Sequence, residues 1–381
     1  MKKIINFILC SLFYFFPINK NKIVLCNFVG KGYGGNPKYI AEYMEQNYKT
    51  FKMYWLSRNL RDKFPQYVKP VRIYRFWHYY HLMTAKVIIN NTRCSMRVPK
   101  KNGQIYLQTW HASFGGKKIE KDAEEKLTKE YLKEAKEDGK KCDAILSSCL
   151  QMTNQIKRAF WLNDKAEILE YGIPRNDFLI RNKDNREKIE QIKKSIGIQS
   201  DFYIVLYAPT FRDTNDFKGY QLDFDGIHNA FEKRFNKKVI ILMRKHPNIS
   251  NVSNIFPNKE YMIDVTNYPD MQELIIACDF ILTDYSSVDF DGMIIQKPVF
   301  EITLDLKEYN ETRGLIDEYY LFPFLRAKTN KELVELIENF DEKCYFKKIE
   351  EYQRLYPIFD SGEATKKCCE WIVKQVEIRR N

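Results

Sequence analysis

Asp279-Phe280-Ile281-Leu282-Thr283-Asp284-Tyr285-Ser286-Ser287-Val288-Asp289-Phe290-Asp291-Gly292 is the stretch on which the fold class turns. An apolar run, Phe280 to Leu282, stops at a Thr-Asp pair. Two serines follow, and the next residues can turn helical. A strand that empties into a helix N-terminus in this way belongs to an α/β sheet. Backbone N–H groups at such a turn, with the hydroxyls of Ser286 and Ser287, suit an anionic ligand such as phosphate. The other reading is that Asp284 or Ser286 caps the helix and nothing binds.

Similar runs lie on both sides. Residues 22–28, 53–56, 86–90, 104–108, 143–147 and 167–170 read as strands before the charged stretch 181–194. Residues 202–207, 238–243, 280–282 and 299–302 read as strands after it. Helical stretches alternate with them, which predicts parallel sheets covered by helices on both faces. Two such halves, joined near 181–200, make two Rossmann-like, doubly wound domains facing a central cleft. One predicted helix covers about 37–46. Another runs from Ile119 to Gly139, with Ile119, Ala123, Leu127, Tyr131 and Ala135 on one face and the glycine closing it. The last stretch, 347–378, reads as helical and as crossing back to the first half.

The loop after the first strand holds Gly30, Gly32 and Gly35 in the G-x-G-x-x-G spacing of a dinucleotide site. The acidic partner expected after the next strand is absent, because 53–56 runs into Ser57-Arg58. A tight turn, or a loop that closes over substrate, fits better.

The chain has 381 residues, 44% of them hydrophobic, enough for about two domains with real cores. With 62 basic and 50 acidic residues its formal charge is +12, which favours an anionic partner. The basic residues are dispersed rather than massed in a tail, which argues against nucleic acid. Nine cysteines without a Cys-x-x-Cys spacing predict neither a disulfide framework nor a zinc site, but reduced cytosolic thiols. The N-terminus, Lys2-Lys3 and then an apolar, aromatic-rich run to Phe16-Pro17, is too short to span a bilayer and lacks a small-residue cleavage signal. Residues 1–20 therefore read as an amphipathic helix on an anionic membrane surface. A first helix packed on the protein's own core is the alternative.

Ligands of doubly wound sheets bind beyond the carboxyl ends of the strands. Those ends deliver Trp110 with His111, Arg175, Pro209 and Thr210 with Arg212, Arg244 with His246, and Asp284 with Ser286 and Ser287. Such a set, rich in cations and hydroxyls, stabilises phosphoryl oxygens. A histidine can take a proton from an attacking hydroxyl, and the chain has only five, at 78, 81, 111, 228 and 246.

The ordered motifs resemble those of the CDP-glycerol glycerophosphotransferase family, the teichoic-acid primases and polymerases and related capsule enzymes. They are Asn36-Pro37-Lys38, Gln108-Thr109-Trp110-His111, Tyr171-Gly172-Ile173-Pro174-Arg175-Asn176-Asp177, Tyr207-Ala208-Pro209-Thr210-Phe211-Arg212-Asp213 and Arg244-Lys245-His246-Pro247. A longer match runs from Asp264 to Tyr268, through Thr283 to Ser287 and Phe290-Asp291, to Lys297-Pro298, with Arg313-Gly314 beyond. The resemblance implies a GT-B-like fold. Residues 21–182 would form the acceptor domain, 183–345 the CDP-polyol donor domain and 346–381 C-terminal helices. It implies a peripheral enzyme of the cytoplasmic membrane face, moving polyol phosphate, glycerol phosphate foremost, from a CDP-polyol to a lipid-linked or polymeric hydroxyl and releasing CMP. His111 would be the general base. His246 would serve the donor pyrophosphate. Arg175, Pro209, Thr210, Arg244, Ser286, Ser287 and Asp291 would line the donor site, with Asp291 orienting its loop. Trp110, Arg212, Asp284 and Arg313 complete the candidate set, Asp284 as the residue that shapes the turn.

Magnesium is compatible with this chemistry, and no carboxylate cluster demands it. The sequence departs from the family's Trp-His-Gly-Thr-Pro by having Trp110-His111-Ala112-Ser113-Phe114, a bulkier turn behind the histidine. The rival reading is a GT-B glycosyltransferase with a nucleotide-sugar donor.

Overall fold

The computed structural model describes residues 9–93, 98–199, 201–212, 217–246 and 256–379. Within it the chain divides into two units. The first comprises residues 1–112, 119–177 and 359–381, and the second residues 113–118 and 178–358. The motif residues Asp213 and Pro247, and the first eight residues of the expected N-terminal helix, lie outside the described residues.

The first unit is built on seven strands: β1 (Asn19–Cys26), β2 (Lys52–Ser57), β3 (Val68–Arg72), β4 (Ala85–Asn90), β5 (Ile105–Gln108), β6 (Ala144–Leu146) and β7 (Glu167–Leu169). All pairs are parallel, in the order β3-β2-β1-β4-β5-β6-β7. A parallel sheet covered on both faces must bury its central strands completely. Hence Ile23, Val24 and Leu25 of β1 and Val87, Ile88 and Ile89 of β4 are fully buried. The helix Ala364–Ile378 belongs to this unit and sends Cys368, Cys369, Trp371 and Ile372 into the same core as Ile40 and Met44 of the helix Gly35–Asn47. Asp177 receives the backbone N–H groups of Ala364 (3.0 Å) and Thr365 (2.7 Å) and so serves as that helix's N-terminal cap.

The second unit has six strands: β8 (Tyr203–Tyr207), β9 (Val239–Met243), β10 (Met262–Asp264), β11 (Phe280–Thr283), β12 (Val299–Ile302) and β13 (Leu325–Ala327). They are again parallel, in the order β10-β9-β8-β11-β12-β13. Counted within the unit this is 3-2-1-4-5-6, the order of a dinucleotide-binding sheet.

Two expectations are corrected. Residues 119–139 do not form one helix. A 3₁₀ turn, Glu120–Lys126, breaks at Leu127, and Thr128 caps a separate helix, Lys129–Lys141. Gly139 lies inside that second helix rather than closing it, because an added Cβ would stand 2.4 Å from the Phe160 carbonyl oxygen. At the N-terminus residues 9–14 are helical, and β1 already takes the chain at Asn19. Phe13 is buried against Phe76 (ring centroids 4.8 Å) and Tyr80 (5.5 Å), while Leu12, Phe15 and Phe16 remain exposed.

Candidate active site

In the first unit the chain leaves β5 at Gln108 and turns sharply. Trp110 takes φ 52°, a left-handed conformation that is costly for a residue with a side chain. The surroundings impose it. The Gln108 side chain accepts the Trp110 N–H (3.0 Å), and Asn36 Nδ2 donates to the carbonyls of Thr109 (3.2 Å) and Trp110 (2.8 Å). The indole packs on Phe160 (4.9 Å), and the buried Arg93, paired with Glu120 and Asp138, lies over both rings.

His111 follows, half-buried, with Nδ1 3.0 Å from the Asn91 carbonyl oxygen. A carbonyl only accepts, so Nδ1 carries the proton and Nε2 of the neutral ring is the basic nitrogen. The ring also lies against Phe28 (5.3 Å), another positive-φ residue. Asn91 is fixed in turn: its Nδ2 donates to Asn27 (2.7 Å) and its Oδ1 accepts the Phe28 N–H (2.8 Å). This is the use of the third glycine in the early loop. A Cβ on Gly35 would stand 2.7 Å from Asn27 Oδ1 and 2.8 Å from Asn91 Nδ2. Asn36 Oδ1 accepts the Arg175 N–H (3.2 Å), so one amide ties together the Trp110 and Arg175 turns.

In the second unit Asp284 shapes the turn after β11, as its position suggests. Its carboxylate accepts the N–H groups of Thr210 (2.8 and 3.1 Å) and Tyr285 (2.6 Å). It therefore does not cap the following helix. Ser287 is the N-cap residue of the helix Val288–Ile294, and its hydroxyl makes no capping bond. Ser286 and Ser287 are both half-buried, and Pro209 and Thr210 are buried beside them in the fold.

Arg212, one of the substrate-set candidates, is bound within the fold. Its guanidinium donates to Asp305 (2.5 and 3.0 Å), to Asp284 (2.8 Å) and to the Thr210 carbonyl (2.8 Å), among the rings of Tyr220, Tyr285 and Tyr309. Burial opposes its charge, but the two carboxylates outweigh that and hold it protonated. It is a structural ion pair. Arg244 turns one nitrogen to the carbonyls of Val265, Thr266 and Tyr268 (2.5–2.8 Å), closing that turn. His246 is half-buried, its ring stacked on Phe211 at 5.8 Å. Asp291 is buried and accepts from Ser113 Oγ (2.5 Å), and Arg313 is exposed.

Residues 113–118 were not anticipated as part of the second unit. Phe114 fills an aromatic pocket with Phe290 (5.2 Å) and Phe322 (5.8 Å), which accounts for the bulky turn behind the histidine. A Cβ on Gly116 would meet the Tyr319 ring at 2.2 Å, so only glycine lets the strand lie there. Lys117 bridges to Leu315 in antiparallel fashion, and its Nζ stands 3.4 Å from Thr210 Oγ1. The remaining histidines serve packing. Burial pushes His78 and His81 down to about 4, and His228 stacks on Tyr261 at 3.9 Å.

A family model, CDP-Glycerol:Poly(glycerophosphate) glycerophosphotransferase, matches residues 8–374. The chain belongs to that family. It is 29% identical over 94% of its length to the teichoic acid poly(glycerol phosphate) polymerase of Staphylococcus epidermidis. It is 31% identical over 86% of its length to the polymerase of the same name from Bacillus subtilis. The chain spans 51% and 45% of these relatives, about half their length. A solved structure of the wall teichoic acid polymerase TagF superposes with a TM-score of 0.84 at 27% identity, covering 99% of this chain and 95% of that one. The glycerophosphotransferase-family chain thus has the GT-B-like α/β fold expected of it.

Within this family member, several residues that frame the candidate site were given no role by sequence reading: Asn27, Asn91, Ser113, Phe114 and Lys117. The glycine pair Gly115-Gly116 ahead of a lysine was the available signal for the last three.

Proposed function

We propose that the protein transfers glycerol phosphate from CDP-glycerol to a hydroxyl of a polymeric or lipid-linked acceptor. The acceptor oxygen attacks the phosphorus that bears the glycerol. The bond from that phosphorus to the bridging oxygen breaks, CMP leaves, and the acceptor's proton passes to His111 Nε2. The observation that carries this reading is the His111 ring, its Nδ1 engaged by the Asn91 carbonyl and its basic nitrogen left as Nε2. His246 and Arg244 serve the donor pyrophosphate together with Ser286, Ser287 and Thr210, and Arg175 lines the same substrate. Positioning and charge stabilisation provide most of the rate in such transfers. Among the described residues no group of three or more His, Cys, Asp or Glu is arranged to hold a metal, so no step is assigned to one.

The reading extends to the cytoplasmic face of an anionic membrane. No helix among the described residues is long and apolar enough to cross a bilayer. Yet Phe15 (86% exposed), Phe16, Phe76 and Trp77 (59%) form an open aromatic cluster in the first unit, with exposed Arg72 and Arg75 beside it. Aromatic side chains ringed by cations suit an interfacial position, each nearby cation adding about 1 kcal/mol.

The deciding experiment offers CDP-glycerol, CDP-ribitol and nucleotide sugars with a polymeric acceptor, follows CMP release and identifies the product by mass. A phosphodiester product from CDP-glycerol is expected. A glycoside with release of a sugar nucleotide's diphosphate would replace this reading with the glycosyltransferase one.

A further inference from the structure

Two cations stand beside Thr210, and the arginine is committed to the fold. Arg212 is buried and held by two carboxylates and a carbonyl. The other cation at that threonine is Lys117, its Nζ 3.4 Å from the hydroxyl. Its backbone is pinned from both sides: Lys118 N–H donates to Gly314 O (2.9 Å) and Ile316 N–H to Gly116 O (2.9 Å). One residue earlier, Gly115 lies against Ser287, close enough that an added Cβ would stand 3.5 Å from that serine's Cβ. The strap 115–117 therefore joins Ser287 to Thr210, two positions the donor reading already uses.

We infer that Lys117 is a substrate-contacting residue whose ammonium binds the phosphate oxygens of the nucleotide-diphosphate donor. This rests on the reading of the donor as CDP-glycerol. The residue is crowded by protein yet still reached by solvent. Crowding pushes its ammonium down to about 8. Asp284 and Asp289 pull the other way, and Arg313 and Arg212 push it further down. Those charges sit on the turns after β8 and β11, on the helix Val288–Ile294, and on the residue after the helix Leu306–Thr312. Asp284 is already engaged by Arg212 and two backbone N–H groups. A diphosphate held at Thr210 and Ser287 would stand within reach of that ammonium.

The test measures CDP-glycerol binding to the full chain by calorimetry, without acceptor, between about pH 7 and about pH 9.5. The donor's phosphates do not titrate there. Wild type should lose affinity about tenfold per unit above about pH 8, as Lys117 gives up its proton. Lys117→Met should bind about tenfold to a hundredfold more weakly at pH 7, with a flat profile. Lys117→Arg should bind near the wild-type level and stay flat, because its charge does not titrate. Unchanged thermal melts certify both folds. Wild-type affinity in Lys117→Met, or the same alkaline fall in that variant, overturns the assignment. If wild type binds no CDP-glycerol, the donor reading itself is what fails.

Discussion

The two units support their reactive residues in opposite ways. The bonds that fix the His111 turn come from neutral groups, the carbonyls and amides of Asn27, Asn36 and Asn91. Around Thr210 and Ser287 the frame is ionic: Arg212 with Asp284 and Asp305, Asp291 on Ser113, and Lys117 above them. The difference is chemical. A base must be uncharged before it takes a proton, and a carboxylate on Nδ1 would favour the charged ring. A phosphate site instead needs fixed charge, and buried charge requires partners.

The largest effect should come at the neutral frame's centre. His111→Ala is expected to lower kcat by about 10²–10⁴-fold while CDP-glycerol still binds, as CMP release and calorimetry would register. A variant that keeps a tenth of wild-type kcat would remove the histidine from the base role. In the ionic frame the effect should be on folding. Asp305→Ala leaves Arg212 buried with one carboxylate and should cost about 3–5 kcal/mol in denaturant unfolding of the second unit. If the loss is under about 1 kcal/mol, the ionic frame is dispensable and the contrast dissolves. The neutral frame is weaker bond for bond. Asn27→Ala leaves Asn91 Nδ2 without its acceptor and should cost about 1–2 kcal/mol, together with a drop in kcat from a loosened ring.

pH should separate the units with opposite signs. His78, buried, and His81, half-buried, in the first unit are held at about 4, below the unfolded value of about 6.5. Their contribution is full above about pH 6.5 and fades as pH falls toward about 4. In the second unit, burial raises Glu301 to about 7, and burial with Glu301 nearby holds Asp289 well above the usual carboxylate range. Glu301 favours the fold below about pH 4.5 and its contribution is lost as pH rises through about 7, and Asp289 acts in the same direction. Thermal melts from about pH 4.5 to about pH 8 should show the first unit gaining and the second losing stability. Parallel trends would break the comparison.

The strands that escaped sequence reading, β3, β10 and β13, all end a sheet. An edge strand has one neighbour and one wet side, so its residues form no apolar run. β3 reads Val68-Lys69-Pro70-Val71-Arg72, and Pro70 is tolerated only at such an edge. The interior strands were legible because burial on both faces demands continuous Ile, Val and Leu. The helix read over 119–139 failed for another reason. Its four-residue spacing is real, but Glu120 takes φ 54° and its carboxylate pairs with Arg93, a contact that no local pattern encodes. The motif histidines were legible as strand-end residues. Their supporting asparagines were not, because Asn27 and Asn91 meet across 64 positions of chain.

By itself the sequence determined the alternation of strands and helices, the two parallel sheets and the family, since each is written in runs of neighbouring residues. Only the tertiary structure decided which partners the motif cations meet. Arg212 meets Asp305, and Lys117 meets Thr210, each across 93 positions. A charge's role is set by what surrounds it in space, and folding alone brings those surroundings together.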